Sequence, residues 1–202
     1  EAWPYVKPVL QAIAAKVAAL YDADYVVESE ITVTSGATEA VFAAIAAVVR
    51  TGDEVIIIEP AYDAYAAAVR LNGARPVYVP LTFPGYRMDW ESARRAVSDR
   101  TRLIILNSPH NPTGSVLTAE DIAQLKELVA KRDILLLSDE VYEHIVFDGR
   151  RHESLAREPE LRRRSFVVSS FGKTYHATGW KIGYCLAPRE LTTELRKVHQ
   201  YL

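Results

Sequence analysis

One cysteine, Cys185, in 202 residues excludes an internal disulfide and mildly favours a reducing compartment. The five histidines, at 110, 144, 152, 176 and 199, are never four residues apart, and with a single thiol they offer no zinc-site spacing. No run of 18 apolar residues occurs, so nothing reads as a membrane-spanning helix. The first residues lack the pattern of a secretory leader, and a cytoplasmic location is the expectation. Lys and Arg number 24 against 26 Asp and Glu. That near-balance argues against nucleic acid or an anionic membrane as the main partner. There is no G-x-G-x-x-G, so the dinucleotide fingerprint is missing. Internal repeats and low-complexity linkers are absent as well.

What remains is an ordinary globular composition, 49% hydrophobic and 25% charged. The length suits one full α/β core and is too short for two large domains. Leu10, Ile13, Val17 and Leu20 have helical spacing. Ile31 to Thr34 is a short β-branched strand, broken at Ser35-Gly36, and Thr38 to Arg50 is an alanine-rich helix. Glu54 to Ile58 is an apolar run too short for a helix, hence a buried strand. A helix over Ala64 to Leu71 stops at Asn72-Gly73, and Pro76 to Val79 is the next strand. Asp89 caps a helix through about Val97. Leu103 to Leu106 is a strand, followed by the turn-dense NSPHNPTG. Thr118 caps a helix with Asp121 in capping-box position, and Ile122, Leu125, Leu128 and Val129 form its inner face. Ile134 to Leu137 is a strand. Arg150 to Arg164 is charged, partly helical and expected to be solvated. Ser165 to Ser169 and Ile182 to Leu186 are the last strands. Leu191, Leu195, Val198 and Leu202 then repeat a helical stripe.

This alternation with continuous apolar strands predicts an α/β fold, a sheet covered by helices on both faces. Ligands of such sheets sit beyond the carboxyl ends of the strands. Five polar clusters stand there: Ser35-Gly36-Ala37-Thr38, Tyr62, Asn107 to Gly114, Asp139 to Tyr142, and Ser170 to Lys173. The first joins a strand to a helix start, where free N–H groups suit a phosphate, although an ordinary loop reads the same way. Asn111, held extended before Pro112, can aim its amide at a ligand or simply make a turn. Asp139 ends a buried strand and needs a partner; a pyridinium nitrogen, a salt bridge or a helix N-cap would each serve. Tyr142 either reaches the same ligand or packs. Lys173 follows Gly172 in a loop after a strand, and Lys181 lies eight residues on. A lysine beside another cation and shielded from water is a usable amine nucleophile, whereas either lysine alone reads as a solvated charge.

Gly172-Lys173-Thr174 after a strand is similar to the tail of a phosphate-binding P-loop. That motif needs a glycine five residues before Gly172, and Val167 stands there, inside the strand. The wrapping loop is missing, so an ATPase is rejected.

SGATEA, EPAYDAY, NSPHNPTG, SDEVYEH and SSFGKTYHATGWKIGY, in this order, resemble the fold-type I, pyridoxal-phosphate-dependent aminotransferases of class I/II. The resemblance covers nearly everything from Ile31 onward and is nearest to the kynurenine/methionine aminotransferase branch. It implies a three-layer α/β/α domain around a mostly parallel sheet of about seven strands. It implies pyridoxal 5′-phosphate as cofactor, with Lys173 as the catalytic Schiff-base lysine. Asp139 would pair with the pyridine nitrogen, Tyr142 and Asn111 with the ring's 3-oxygen, and Tyr62 with the ring face. Gly36, Ala37, Thr38, Ser170 and Lys181 would hold the phosphate. Lys181 stands where many relatives have arginine; it offers a point charge in place of a two-pronged fork.

The implied reaction moves an amino group from an amino acid of methionine or aromatic type to a 2-oxo acid. A cofactor-binding fragment without turnover and a C–S β-lyase are the alternatives. The implied organisation is an N-terminal helix region over 1–30, a cofactor-binding large domain over 31–190 and, over 191–202, the start of a helix leading to a small domain. In the family the small domain supplies an arginine for the substrate carboxylate. Glu1 to Pro8 does not match the family's upstream motif, so a piece of a longer protein, a homodimer when complete, is expected.

Overall fold

Short runs of β-branched residues and leucine build the centre of the molecule, because each is too short to satisfy its backbone as a helix and too apolar to face water. The computed structural model describes the backbone of residues 3–202, and side-chain surroundings from residue 6 onward. Seven strands form one sheet: β1 (Ile31–Thr34), β2 (Glu54–Glu59), β3 (Arg75–Pro80), β4 (Thr101–Asn107), β5 (Leu135–Asp139), β6 (Ser165–Ser170) and β7 (Gly183–Leu186). Their order is β1-β7-β6-β5-β4-β2-β3. The β2–β3, β2–β4, β4–β5 and β5–β6 pairs are parallel. β7 runs antiparallel to both its neighbours. Reversal against both sides leaves β1 and β6 pointing the same way. The carboxyl ends of β1, β2, β4, β5 and β6 therefore share one edge. Gly183, the first residue of β7, joins them there, paired with Thr34 and with Ser170.

The helices are α1 (Trp3–Tyr21), α2 (Val27–Glu30), α3 (Gly36–Val48), α4 (Asp63–Leu71), α5 (Trp90–Ala96), α6 (Ala119–Val129), α7 (Pro159–Arg162), α8 (Phe171–Thr174) and α9 (Arg189–His199). Alternate strand residues feed two cores, as a period of two requires. Ile56, Ile104, Leu106 and Leu136 pack with Leu10, Ile13 and Val17 of α1 and Ile122 and Leu125 of α6. Val55, Ile57, Leu103, Ile105, Leu137 and Val168 pack on the other face with Ala40, Ala43, Ala44 and Ala47 of α3, Val69 of α4 and Leu195 of α9. This is the expected three-layer arrangement. Each fully buried Ile or Leu of the sheet contributes about 1.5–3 kcal/mol. Local signals set the helix starts. Asp89 accepts from the Ser92 N–H at 3.0 Å. Thr118 and Asp121 form the reciprocal capping box, at 3.2 and 2.8 Å.

Three expectations need correction. Leu20 is 41% exposed, and Tyr21, 5% exposed, takes its place; from Val17 the inward step is four residues, not three. Leu202 lies beyond the end of α9 and is 61% exposed. The segment Arg150 to Arg164 is not simply solvated, because His152, Ser154, Leu155, Ala156 and Leu161 are buried. Glu140 causes this. It is buried, and accepts from Ser138 Oγ at 2.7 Å and the Leu155 N–H at 3.0 Å, while His152 Nε2 lies 2.8 Å away. Burial alone would lower the His152 pKa, but the facing Glu140 carboxylate outweighs it and raises it. The chain folds over this carboxylate to satisfy it.

Candidate functional site

At the shared strand edge, each loop contributes to one cavity of about 300 Å³. All ten residues singled out in the sequence line it: Gly36, Ala37, Thr38, Tyr62, Asn111, Asp139, Tyr142, Ser170, Lys173 and Lys181. Val41, Tyr65, Asn107, Val141, Gly172, Thr178 and Ile182 complete the wall.

The β1–α3 turn makes one end of the cavity. Gly36 has a φ of 80°, a conformation that disfavours side chains, and a Cβ there would lie 3.7 Å from both Cε and Nζ of Lys181. The Lys181 ammonium therefore sits against the start of α3. Ser35 precedes α3 without capping it through its side chain. The first N–H groups of a helix have no partner inside it, and Gly36, Ala37 and Thr38, at the start of α3, line this end of the cavity. Gly183 makes the approach feasible: a Cβ on it would stand 2.5 Å from Ala37 N and from Gly36 C. Ser170, at the end of β6, accepts from the Lys173 N–H at 3.4 Å.

Asp139 lies on the sheet floor, 6% exposed. The salt-bridge and helix-cap readings both fail, since no cation pairs with it among the described residues and no helix follows it directly. Its Oδ2 accepts from Tyr65 Oη at 2.5 Å, and its Oδ1 from the Val141 N–H at 3.3 Å. Burial pushes its pKa up to about 6, against the lowering effect of those two donors and with a further push from Glu140. Burial, reinforced by the facing Asp139 carboxylate, drives the Tyr65 hydroxyl pKa upward. Asn107 ties the floor together: its Nδ2 donates to the Asp139 carbonyl and its Oδ1 accepts from the Asn111 N–H, both at 2.8 Å. Tyr62 meets the Tyr65 ring edge-on, with centroids 5.7 Å apart.

Lys173 reaches into the cavity from α8. Its Nζ lies 5.8 Å from the centre of the Tyr142 ring, a cation–π distance. Among the described residues neither Lys173 nor Lys181 forms an ion pair with a carboxylate.

Behind this wall, buried Glu143 accepts from Lys16 Nζ and Ser169 Oγ, both at 2.6 Å, and from Tyr21 Oη. Burial would raise its pKa, but Lys16 and the hydroxyl donors hold it low. The network fastens α1 to the segments carrying Tyr142 and Ser170. Tyr65, Gly183 and this network were not singled out in the sequence, and Asn107 stood there only as the start of the Asn107 to Gly114 cluster. Tyr65 had a signal, since it stands three residues after Tyr62, on the same side of a helical turn.

Residues 4–202 match the family Aminotransferase class I and II. The chain belongs to that family. It is 51% identical over 197 residues to the methionine aminotransferase of Escherichia coli strain K12, a match covering 98% of this chain and 51% of that protein. It is 44% identical over 201 residues to a probable N-succinyldiaminopimelate aminotransferase of Mycobacterium tuberculosis, covering 98% and 51%. A crystal structure reported with a methionine aminotransferase function from Escherichia coli superposes with a TM-score of 0.95 at 50% identity, over 96% of this chain and 52% of that one. The chain spans about half the length of the curated relatives it matches. The family's cofactor is pyridoxal 5′-phosphate.

The site fits that cofactor on its own chemistry. A buried carboxylate without a cation matches a protonated ring nitrogen. At the other end, the first N–H groups of α3, without partners inside the helix, and the Lys181 ammonium, without an ion pair among the described residues, match a phosphate. An amine stands between the walls, and the volume lies at the lower end of the roughly 300–1,000 Å³ of small-molecule sites.

Proposed function

We propose that this chain is the cofactor-binding part of an aminotransferase that moves an amino group from an amino acid of methionine or aromatic type to a 2-oxo acid. The observation that carries the reading is the pairing of opposite demands across one cavity: a cation-seeking Asp139 at the floor, and an anion-seeking α3 start with Lys181 at the end. When bound, pyridoxal phosphate supplies an aldehyde for amines and a ring that accepts electrons from the substrate α-carbon. Asp139 keeps the ring nitrogen protonated. Gly36, Ala37, Thr38, Ser170 and Lys181 hold the phosphate. Tyr142 and Asn111 would hold the ring oxygen, and Tyr62 the ring face. Lys173 would be the amine that meets the aldehyde, and would move the proton at the substrate α-carbon.

Full-length protein supplied with pyridoxal phosphate should transfer the amino group of methionine or an aromatic amino acid to a 2-oxo acid, followed as formation of the new amino acid. Release of pyruvate and ammonia from a cysteine conjugate, without transfer, would instead support a β-lyase. The methionine assignment draws support from the 51% identity to the Escherichia coli enzyme. A homodimer and a cytoplasmic location are part of the proposal.

One observation favours a second reading for residues 1–202 taken alone. Among the described residues lining the cavity the cations are lysines, and no arginine is present to clamp a substrate carboxylate. On this reading the segment binds cofactor without turnover. Robust transamination by it would contradict this.

A further inference from the structure

The start of α3 carries an acid of its own. Glu39 stands in the first turn, and its Oε2 accepts the Ser35 N–H at 2.5 Å. A carboxylate is stabilised at a helix N-terminus. On the cofactor reading above, the same helix end also receives a phosphate. Two anions thus address one dipole, and an uncovered glutamate would weaken binding of the second.

Glu39 is covered. Its other oxygen, Oε1, lies 2.5 Å from His199 Nδ1. A carboxylate only accepts, so Nδ1 carries the hydrogen. His199 is the last residue of α9, a helix end that favours a donor or a cation. α9 is itself firmly seated. Leu195 is buried in the core it shares with α3. Arg196 donates to Thr32 Oγ1 at 3.1 Å and to the carbonyls of Glu28 and Ile31, both at 2.7 Å. The side chains of Glu39 and His199 are 13% and 33% exposed, so solvent screens the pair only in part.

We propose that His199 is a positioning residue for the cofactor phosphate. By holding Glu39 Oε1, it draws the glutamate charge toward α9 and leaves the first N–H groups of α3, with Lys181, to the incoming anion. Glu39 in turn fixes the Ser35 turn through its other oxygen. The proposal rests on the phosphate lying at the start of α3.

The test compares the affinity of pyridoxal 5′-phosphate with that of pyridoxal, which has the same aldehyde and ring but no phosphate, by absorbance titration of the full-length protein. His199→Ala should weaken the phosphorylated ligand about three- to tenfold and leave pyridoxal within about twofold. His199→Asn places an amide donor where Nδ1 stood and should stay near the wild type. Glu39→Gln keeps an acceptor for the Ser35 N–H without the charge; it should bind pyridoxal phosphate at least as well as the wild type and make a further His199→Ala change silent. Circular dichroism and melting without ligand identify a variant that simply fails to fold, and the Asn and Gln variants then carry the test. Equal weakening of both ligands, or the same His199→Ala effect with and without the Glu39 charge, would overturn the proposal. A wild type indifferent to the phosphate would refute the α3 cup and the proposal with it. A wild type that prefers the phosphate, with a His199→Ala variant that keeps the full preference, would refute the role of His199 alone.

Discussion

Replacing Asp139 with asparagine should stabilise the ligand-free protein at neutral pH while impairing cofactor binding. The carboxyl's pKa is about 6 in the folded chain, against an ordinary 3.8. Between those values the native state holds a proton that the unfolded chain has released, so stability falls as pH rises through this window and levels off above it. The gap of about 2 units corresponds to about 3 kcal/mol. Asparagine has no such charge. It still accepts from Tyr65 Oη, but it turns a donor toward the Val141 N–H, 3.3 Å from Oδ1 in the native protein, at a loss of about 0.5–1.5 kcal/mol. Asp139→Asn should therefore be slightly less stable than the wild type at pH 4 and about 1–3 kcal/mol more stable at pH 8. For a chain of this length that gain raises the melting temperature by roughly 2–12 °C. Pyridoxal phosphate affinity should fall about a hundredfold or more, since a buried charge pair loses one partner. Thermal or urea unfolding of both proteins without ligand, at intervals from pH 4 to 8, measures the difference. A stability difference independent of pH would refute the reasoning, because it would mean that burial does not set the protonation of Asp139.

Two further substitutions probe the supports of the cavity. Tyr65→Phe removes the 2.5 Å donor from Asp139; it should cost about 1–3 kcal/mol above pH 7 and extend the pH-dependent loss of stability upward, both visible in the same unfolding series. Gly183→Ala forces a Cβ to within 2.5 Å of the backbone at Ala37 and Gly36; it should cost about 1–3 kcal/mol in urea unfolding and weaken phosphate-bearing ligands more than pyridoxal. An unchanged unfolding midpoint would show that β7 and α3 part without penalty.

The alternation of elements was readable because it depends on local patterns. EVIII and LLL are too short and too apolar for anything but buried strands, and Thr118 with Asp121 announces a helix start wherever the rest of the chain lies. The loops after the strands were readable for the same reason, since a parallel sheet collects them at one edge. Other features depend on partners distant in sequence. Nothing in GYCL distinguishes a strand antiparallel to two neighbours from a parallel one. The charged run Arg150 to Arg164 reads as surface until Glu140, buried at the end of β5, is seen to need His152 and the Leu155 N–H. Likewise, nothing local singles out Lys16 and Tyr21 of α1 until Glu143 is placed between them.

The central claim is that Lys173 is the amine that engages the cofactor aldehyde. Full-length protein incubated with pyridoxal phosphate, reduced with borohydride, digested and weighed by mass spectrometry should carry the cofactor's mass on the peptide containing Lys173, and Lys173→Ala should carry none. Label on Lys181 instead, or equal labelling of the Lys173→Ala protein, would contradict the account.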